Sequence, residues 1–66
     1  MAMLKVIEIL AESDKSWEDA AQVAVTTAAK TVRHIKSINV ENLSATVDKG
    51  KIKTFRLNAR IAFLLE

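Results

Sequence analysis

The sequence predicts an α+β fold of β-α-β-β order, a three-stranded antiparallel sheet wrapped round one helix. Three observations carry this. From Phe55 onward the apolar residues fall on every second position (Phe55, Leu57, Ala59, Ile61, Phe63, Leu65), with Thr54, Arg56, Asn58 and Arg60 between them, which is the period of a strand. A second long strand pattern precedes it, and the chain's one glycine, Gly50, stands between the two. Upstream, Trp17 opens a run of apolar residues spaced as on a helix.

The first element is Met3 to Leu10, MLKVIEIL, a short apolar segment with β-branched residues that reads as a strand. The polar cluster from Glu12 to Ser16 breaks it. Ser16 followed by Asp19 resembles a capping box. The hydroxyl can accept from the third helical amide, but Asp is shorter than the usual Glu, so the reciprocal bond is expected to be missing.

The helical stripe is formed by residues 17, 20, 21, 24, 25, 28, 32 and 35. Four of these are alanines, Ala20, Ala21, Ala24 and Ala28, which favour the helix and let its axis lie close to a sheet. The helix is expected to end around His34 to Lys36, where basic side chains suit its negative pole.

The next strand begins with Ile38 and Val40, then changes parity at Leu43, Ala45 and Val47. One extra residue near Glu41 or Asn42 returns both runs to one face, which predicts a β-bulge. Asp48-Lys49-Gly50 reads as a three-residue hairpin loop with Gly50 left-handed. The last strand, Lys51 to Leu65, would reach roughly 50 Å at about 3.3 Å per residue. A compact chain of this length has a radius of gyration of about 11 Å. So long a strand must bend or be covered by other copies of the chain, and a three-stranded sheet has two open edges for that. An oligomer is expected.

Composition narrows the function classes. At 66 residues, half of them apolar, the chain is read as a single domain, residues 1–66, near the size where one core is marginal. The absence of Cys excludes disulfides and thiolate metal sites, and suggests a cytoplasmic location. No apolar run approaches the roughly 20 residues of a spanning helix. The start, interrupted by Lys5 and Glu8 and without a basic leader, does not read as a signal peptide, and no membrane partner is expected. Ten basic and eight acidic residues give a net charge of +2, with the bases scattered and Trp17, Phe55 and Phe63 at core-like positions, so no nucleic-acid partner is expected. The lone His34 has no nucleophile or carboxylate at a telling spacing, and no phosphate-cradling glycine loop or paired-acid motif occurs. The chain is not read as an enzyme.

KVIEI at residues 5–9, SWEDAAQVAV at 16–25, AAKTVRHIKSINV at 28–40 and the closing hairpin GKIKTFRLNARIAFLLE at 50–66 together resemble the dodecins. The resemblance runs nearly the whole chain. It implies a homododecamer, a hollow shell of twelve copies, with flavin (FMN or riboflavin) as the stored ligand between subunits. In that family a Trp just before the second strand stacks on the flavin ring and a Gln on the third strand bonds its polar edge.

Two positions depart from the pattern. The stretch expected as His-Leu-x-Trp-Phe-x-Val is His34-Ile35-Lys36-Ser37-Ile38-Asn39-Val40, so Ser37 stands where the Trp belongs. The Tyr-Gln pair corresponds to Phe55-Arg56, so Arg56 stands where the Gln belongs. Loss of an aromatic platform removes about 1–3 kcal/mol, judged from base stacking. The unmade hydrogen bond removes about 1 kcal/mol more. Together they weaken binding by roughly 10² to 10³. Arg56 can offset part of this by stacking its guanidinium or pairing with an anion.

The candidate ligand-binding residues are therefore Ser37 and Arg56, with Ser44 and Asn58 nearby on the strands. Against this stands the plainer reading that Arg56 and Arg60 make inter-subunit ion pairs with Glu41, Asp48 or Glu8. Trp17 heads the apolar stripe and is read as core or subunit interface. A second branch of the family lacks the flavin Trp and is associated with calcium, and the Ser-Trp-Glu helix start and the Arg after an aromatic look like that branch. Calcium takes six to eight oxygen ligands. The acids Glu8, Glu12, Asp14, Glu18, Asp19, Glu41 and Asp48 are available, and the sequence does not choose among them.

Overall fold

The computed structural model describes residues 2–65; Met1 and Glu66, which the sequence reading places in the domain, lie outside the described residues. Strand β1 (Leu4–Ser13), helix α1 (Trp17–Ala28), strand β2 (Ile35–Asp48) and strand β3 (Lys51–Leu64) follow in that order. They build an antiparallel sheet of order β1-β3-β2, so the longest alternating strand is central and the other two are edges.

The alternation of β3 sorts its side chains as expected. Leu57, Ala59 and Ile61 are buried under the helix, while Arg56, Asn58 and Arg60 occupy the outer face. Ala11 of β1 and Ala20 and Ala24 of α1 complete the buried core, with Ile7, Ile9, Ile35 and Ile38 packed around it. Among the described residues, four of the six buried apolar residues are alanines. The helix therefore lies close to the sheet, but the core contains little side-chain volume. The fold is elongated, 51 × 20 × 14 Å with a radius of gyration of 13.5 Å, because the β2–β3 hairpin outruns the helix.

Several boundaries differ from expectation. β1 continues through Ser13 instead of stopping at Leu10, because β3 offers it an unbroken ladder from Leu4↔Leu64 to Ser13↔Phe55. Helix α1 ends at Ala28, not around His34 to Lys36. Tighter turns replace the helical pattern there, with Lys30 N–H donating to Thr27 O and Thr31 N–H to Ala28 O. The β-branched Thr26, Thr27, Thr31 and Val32 give this stretch little helical preference. His34, at φ 59°, then turns the chain into β2, which starts at Ile35 rather than Ile38. Ile35, expected on the helical stripe, instead pairs with Phe63 on β3, and no basic residue sits in the helix's last turn.

The helix start behaves as read. Ser16 Oγ accepts from Asp19 N at 2.9 Å, and Asp19 does not complete the box, because its carboxylate instead accepts from buried Ser13 Oγ at 2.6 Å. The bulge in β2 falls between Val40 and Asn42, leaving Glu41 as the extra residue. The hairpin loop has two residues rather than three. Asp48 pairs with Lys51, and Lys49 and Gly50 both have positive φ (51° and 77°), the pattern of a type I′ turn matched to the strand twist.

Candidate functional site

The outer face of the sheet collects the polar residues in rows that cross all three strands. One row is Glu12↔Arg56↔Ser44, and the next on the same face is Leu10↔Asn58↔Asn42. Three candidates from the sequence, Arg56, Ser44 and Asn58, are thus neighbours. Ser37 is not among them. It lies opposite Ala62, six residues further along β3 than Arg56, which is about 20 Å at ~3.3 Å per residue.

Arg56 is held by an acid that the sequence reading did not pair with it. Its Nε donates to Glu12 Oε1 at 2.9 Å, and Thr54 Oγ1 donates to the same oxygen at 2.8 Å. Thr54 is in turn linked to Thr46 on β2, whose Oγ1 accepts from Thr54 N at 3.1 Å. These bonds, Thr54 first and Arg56 next, hold the Glu12 carboxyl below its ordinary value, with Lys53 adding to the effect. Glu12, Arg56, Thr46 and Thr54 line an open cleft of about 430 Å³ near the hairpin end, together with Asp48 and Lys53.

Arg60 sits two rows from Arg56 on the same face. It reaches Glu41 at 2.7 Å and Glu8 at 3.6 Å, so two of the three acids named for it are its partners. Both pairs form within one chain. The bulge serves this contact, since Glu41 is the extra residue that β2 inserts beside Arg60.

Trp17 is half-buried at the helix start and stands outside the buried core cluster. Its ring meets Phe55 edge-on at 4.8 Å between centroids, and its Nε1 donates to the Ser44 carbonyl at 2.9 Å. It therefore ties the helix to the backbone of β2 directly behind the Arg56 row.

The inner face is only partly covered. Helix α1 lies mainly over β1 and β3 and touches β2 least. Val40 and Leu43 of β2 stand opposite buried Ala59 and Leu57, yet they are 45% and 57% exposed. At the hairpin end, Val47 and Ile52 are also exposed. Among the described residues no three carboxylate or imidazole side chains gather in a way that could hold a metal ion. No helix among them is long and apolar enough to cross a membrane.

Comparison with known proteins agrees with this geometry. The sequence profile described as Dodecin matches residues 3–66. Calcium dodecin of Mycobacterium tuberculosis is 35% identical over 63 residues, 96% of this chain and 89% of the relative. Its crystal structure, described as a calcium-chelating immunodominant antigen with a novel calcium-binding site, superposes with a TM-score of 0.84 at 37% identity, covering 97% and 91% of the two chains. Dodecin of Thermus thermophilus is 29% identical over 62 residues, 94% and 90% of the two chains. A crystal structure of a variant of that protein superposes with a TM-score of 0.95 at 27% identity, covering 100% and 98%.

Proposed function

The chain belongs to the dodecin family, and on that premise we propose that it is a non-enzymatic, cytoplasmic small-ligand binding and storage protein that works as a hollow homododecamer. The observation that carries this reading is the incomplete cover of the sheet. Exposed Val40 and Leu43 lie on the same face as buried Leu57 and Ala59, and only further copies of the chain would finish that layer. The small side-chain volume of the alanine-rich core points the same way, since a chain of this size gains stability by association.

The ligand pockets then lie between subunits. Ser37 and Arg56 are about 20 Å apart along β3, so both reach one ligand only if different copies supply them. The family ligand is flavin, and this chain binds it weakly. Ser37 offers no stacking surface, and Arg56 is engaged by Glu12 rather than waiting for the polar edge of a ring.

A second reading is favoured by one specific relative: calcium dodecin, whose name and structure describe calcium binding. A calcium site in this chain would draw its oxygen ligands from more than one copy, since no suitable cluster forms among the described residues of one.

Fluorescence titration of riboflavin and FMN separates the two readings, with the natural protein beside the Ser37→Trp, Arg56→Gln double variant. Quenching by the natural protein at micromolar concentration supports flavin storage. Quenching by the double variant alone, with calorimetric binding of calcium chloride by the natural protein, supports the calcium reading. Sedimentation of the same samples reports the number of copies.

A further inference from the structure

We propose that Glu12 is the specificity-determining residue of the outer face: by pairing with Arg56 it keeps the hairpin cleft neutral and turns away phosphorylated ligands in favour of uncharged ones. This rests on the small-ligand reading and adds to it which chemical class of ligand the face accepts.

The cleft beside Arg56 has four charged side chains, Glu12, Asp48, Lys53 and Arg56, so its formal charge is zero. The guanidinium is the one group there built for bidentate recognition of a phosphate. Its Nε is already bonded to Glu12 Oε1 at 2.9 Å. Glu12 is fixed in that position by a second donor, Thr54 Oγ1, so the carboxylate is held against the arginine rather than free to swing away. A phosphate approaching Arg56 meets the Glu12 charge at close range, and the repulsion between the two anions offsets the attraction of the guanidinium. The Arg60 row, two further along, offers no relief, because Arg60 is flanked by two acids, Glu41 and Glu8. An uncharged ring or polyol loses nothing by the same arrangement. It can still use the remaining N–H donors of Arg56 and the Ser44 and Asn58 side chains in the adjoining positions.

Both partners are about half-exposed, which makes substitution of Glu12 compatible with the fold and keeps the effect local. Replacing it by Gln preserves a hydrogen-bond acceptor for Thr54 while removing the charge. The cleft then has one net positive charge centred on Arg56.

The test measures binding of riboflavin, FMN and inorganic tripolyphosphate by calorimetry at fixed ionic strength. It compares the natural protein, Glu12→Gln, Glu8→Gln and the Glu12→Gln, Arg56→Gln pair. The expected result is a gain of about tenfold or more in tripolyphosphate affinity for Glu12→Gln, with a similar shift of the FMN-to-riboflavin preference toward FMN. The gain should vanish when Arg56 is also replaced. Glu8→Gln, which removes the same charge two rows away, should leave the preference unchanged. The proposal is overturned if Glu12→Gln gains nothing, if Glu8→Gln gains as much, or if the natural protein already prefers FMN tenfold. Should neither flavin bind any variant, flavin storage fails as a function while the tripolyphosphate series still decides the role of Glu12.

Discussion

Trp17 and Ser44, twenty-seven positions apart, are joined by a hydrogen bond of 2.9 Å from the indole Nε1 to the backbone carbonyl. The bond links the first turn of α1 to β2, the strand that the helix touches least, and the edge-on contact with Phe55 closes the same junction from β3. The indole is thus a brace between the short helix and the long hairpin.

Replacing Trp17 by Phe keeps an aromatic ring against Phe55 and removes the donor. The expected loss is about 1 kcal/mol, since the Ser44 carbonyl can turn to water instead. Trp17→Ala also gives up the ring packing and should cost about 2–3 kcal/mol. Thermal unfolding at one fixed protein concentration measures both, and equal losses for the two variants would show that the hydrogen bond contributes nothing.

The pairing of Glu12 has a pH signature. Its carboxyl is held below the ordinary value of 4.5 by Thr54, Arg56 and Lys53. A group whose folded value is depressed contributes stability that is fully present above its unfolded value. That contribution is lost as pH falls through the lower, folded value. Glu12→Gln should therefore be less stable than the natural protein at neutral pH, and the difference should shrink below about pH 4.5. Melting temperatures of both proteins from neutral pH down to pH 3 make the comparison. A gap that stays constant over that range would mean that the ion pair adds nothing to stability.

Much of this architecture is legible in the residues themselves. The parity of β3 sorts which side chains meet the helix, and the phase change in β2 places a bulge near Glu41 or Asn42, where it is found at Glu41. The helix end was not legible. Val32 and Ile35 continue the apolar spacing of the stripe, so periodicity alone carries the helix past its real limit. Its actual stop depends on Ile35 finding Phe63 across the sheet, a contact remote in sequence. The Glu12–Arg56 pair was missed for a different reason, although its signal was present. Glu8 and Glu12 are four apart on β1, Arg56 and Arg60 are four apart on β3, and an antiparallel register that pairs one couple pairs the other. The distance between Ser37 and Arg56 follows instead from the β2–β3 register.

The exposed strip on β2 leads to a prediction about assembly. Leu43 is opposite buried Leu57 and is itself more than half exposed in the single chain. If a neighbouring copy covers it, each subunit gains about 1.5–3 kcal/mol from burying that side chain. Leu43→Lys replaces this with a charge that the interface would have to desolvate. The same lysine on an open surface would be nearly neutral, within ~0.5 kcal/mol. The two cases differ in both mass and stability. Covered, Leu43→Lys should sediment as smaller species at micromolar concentration and melt well below the natural protein. Left open, it should match the natural protein in both respects. Val40→Lys, on the same strip opposite Ala59, should repeat the pattern set by Leu43→Lys, because one interface would cover both.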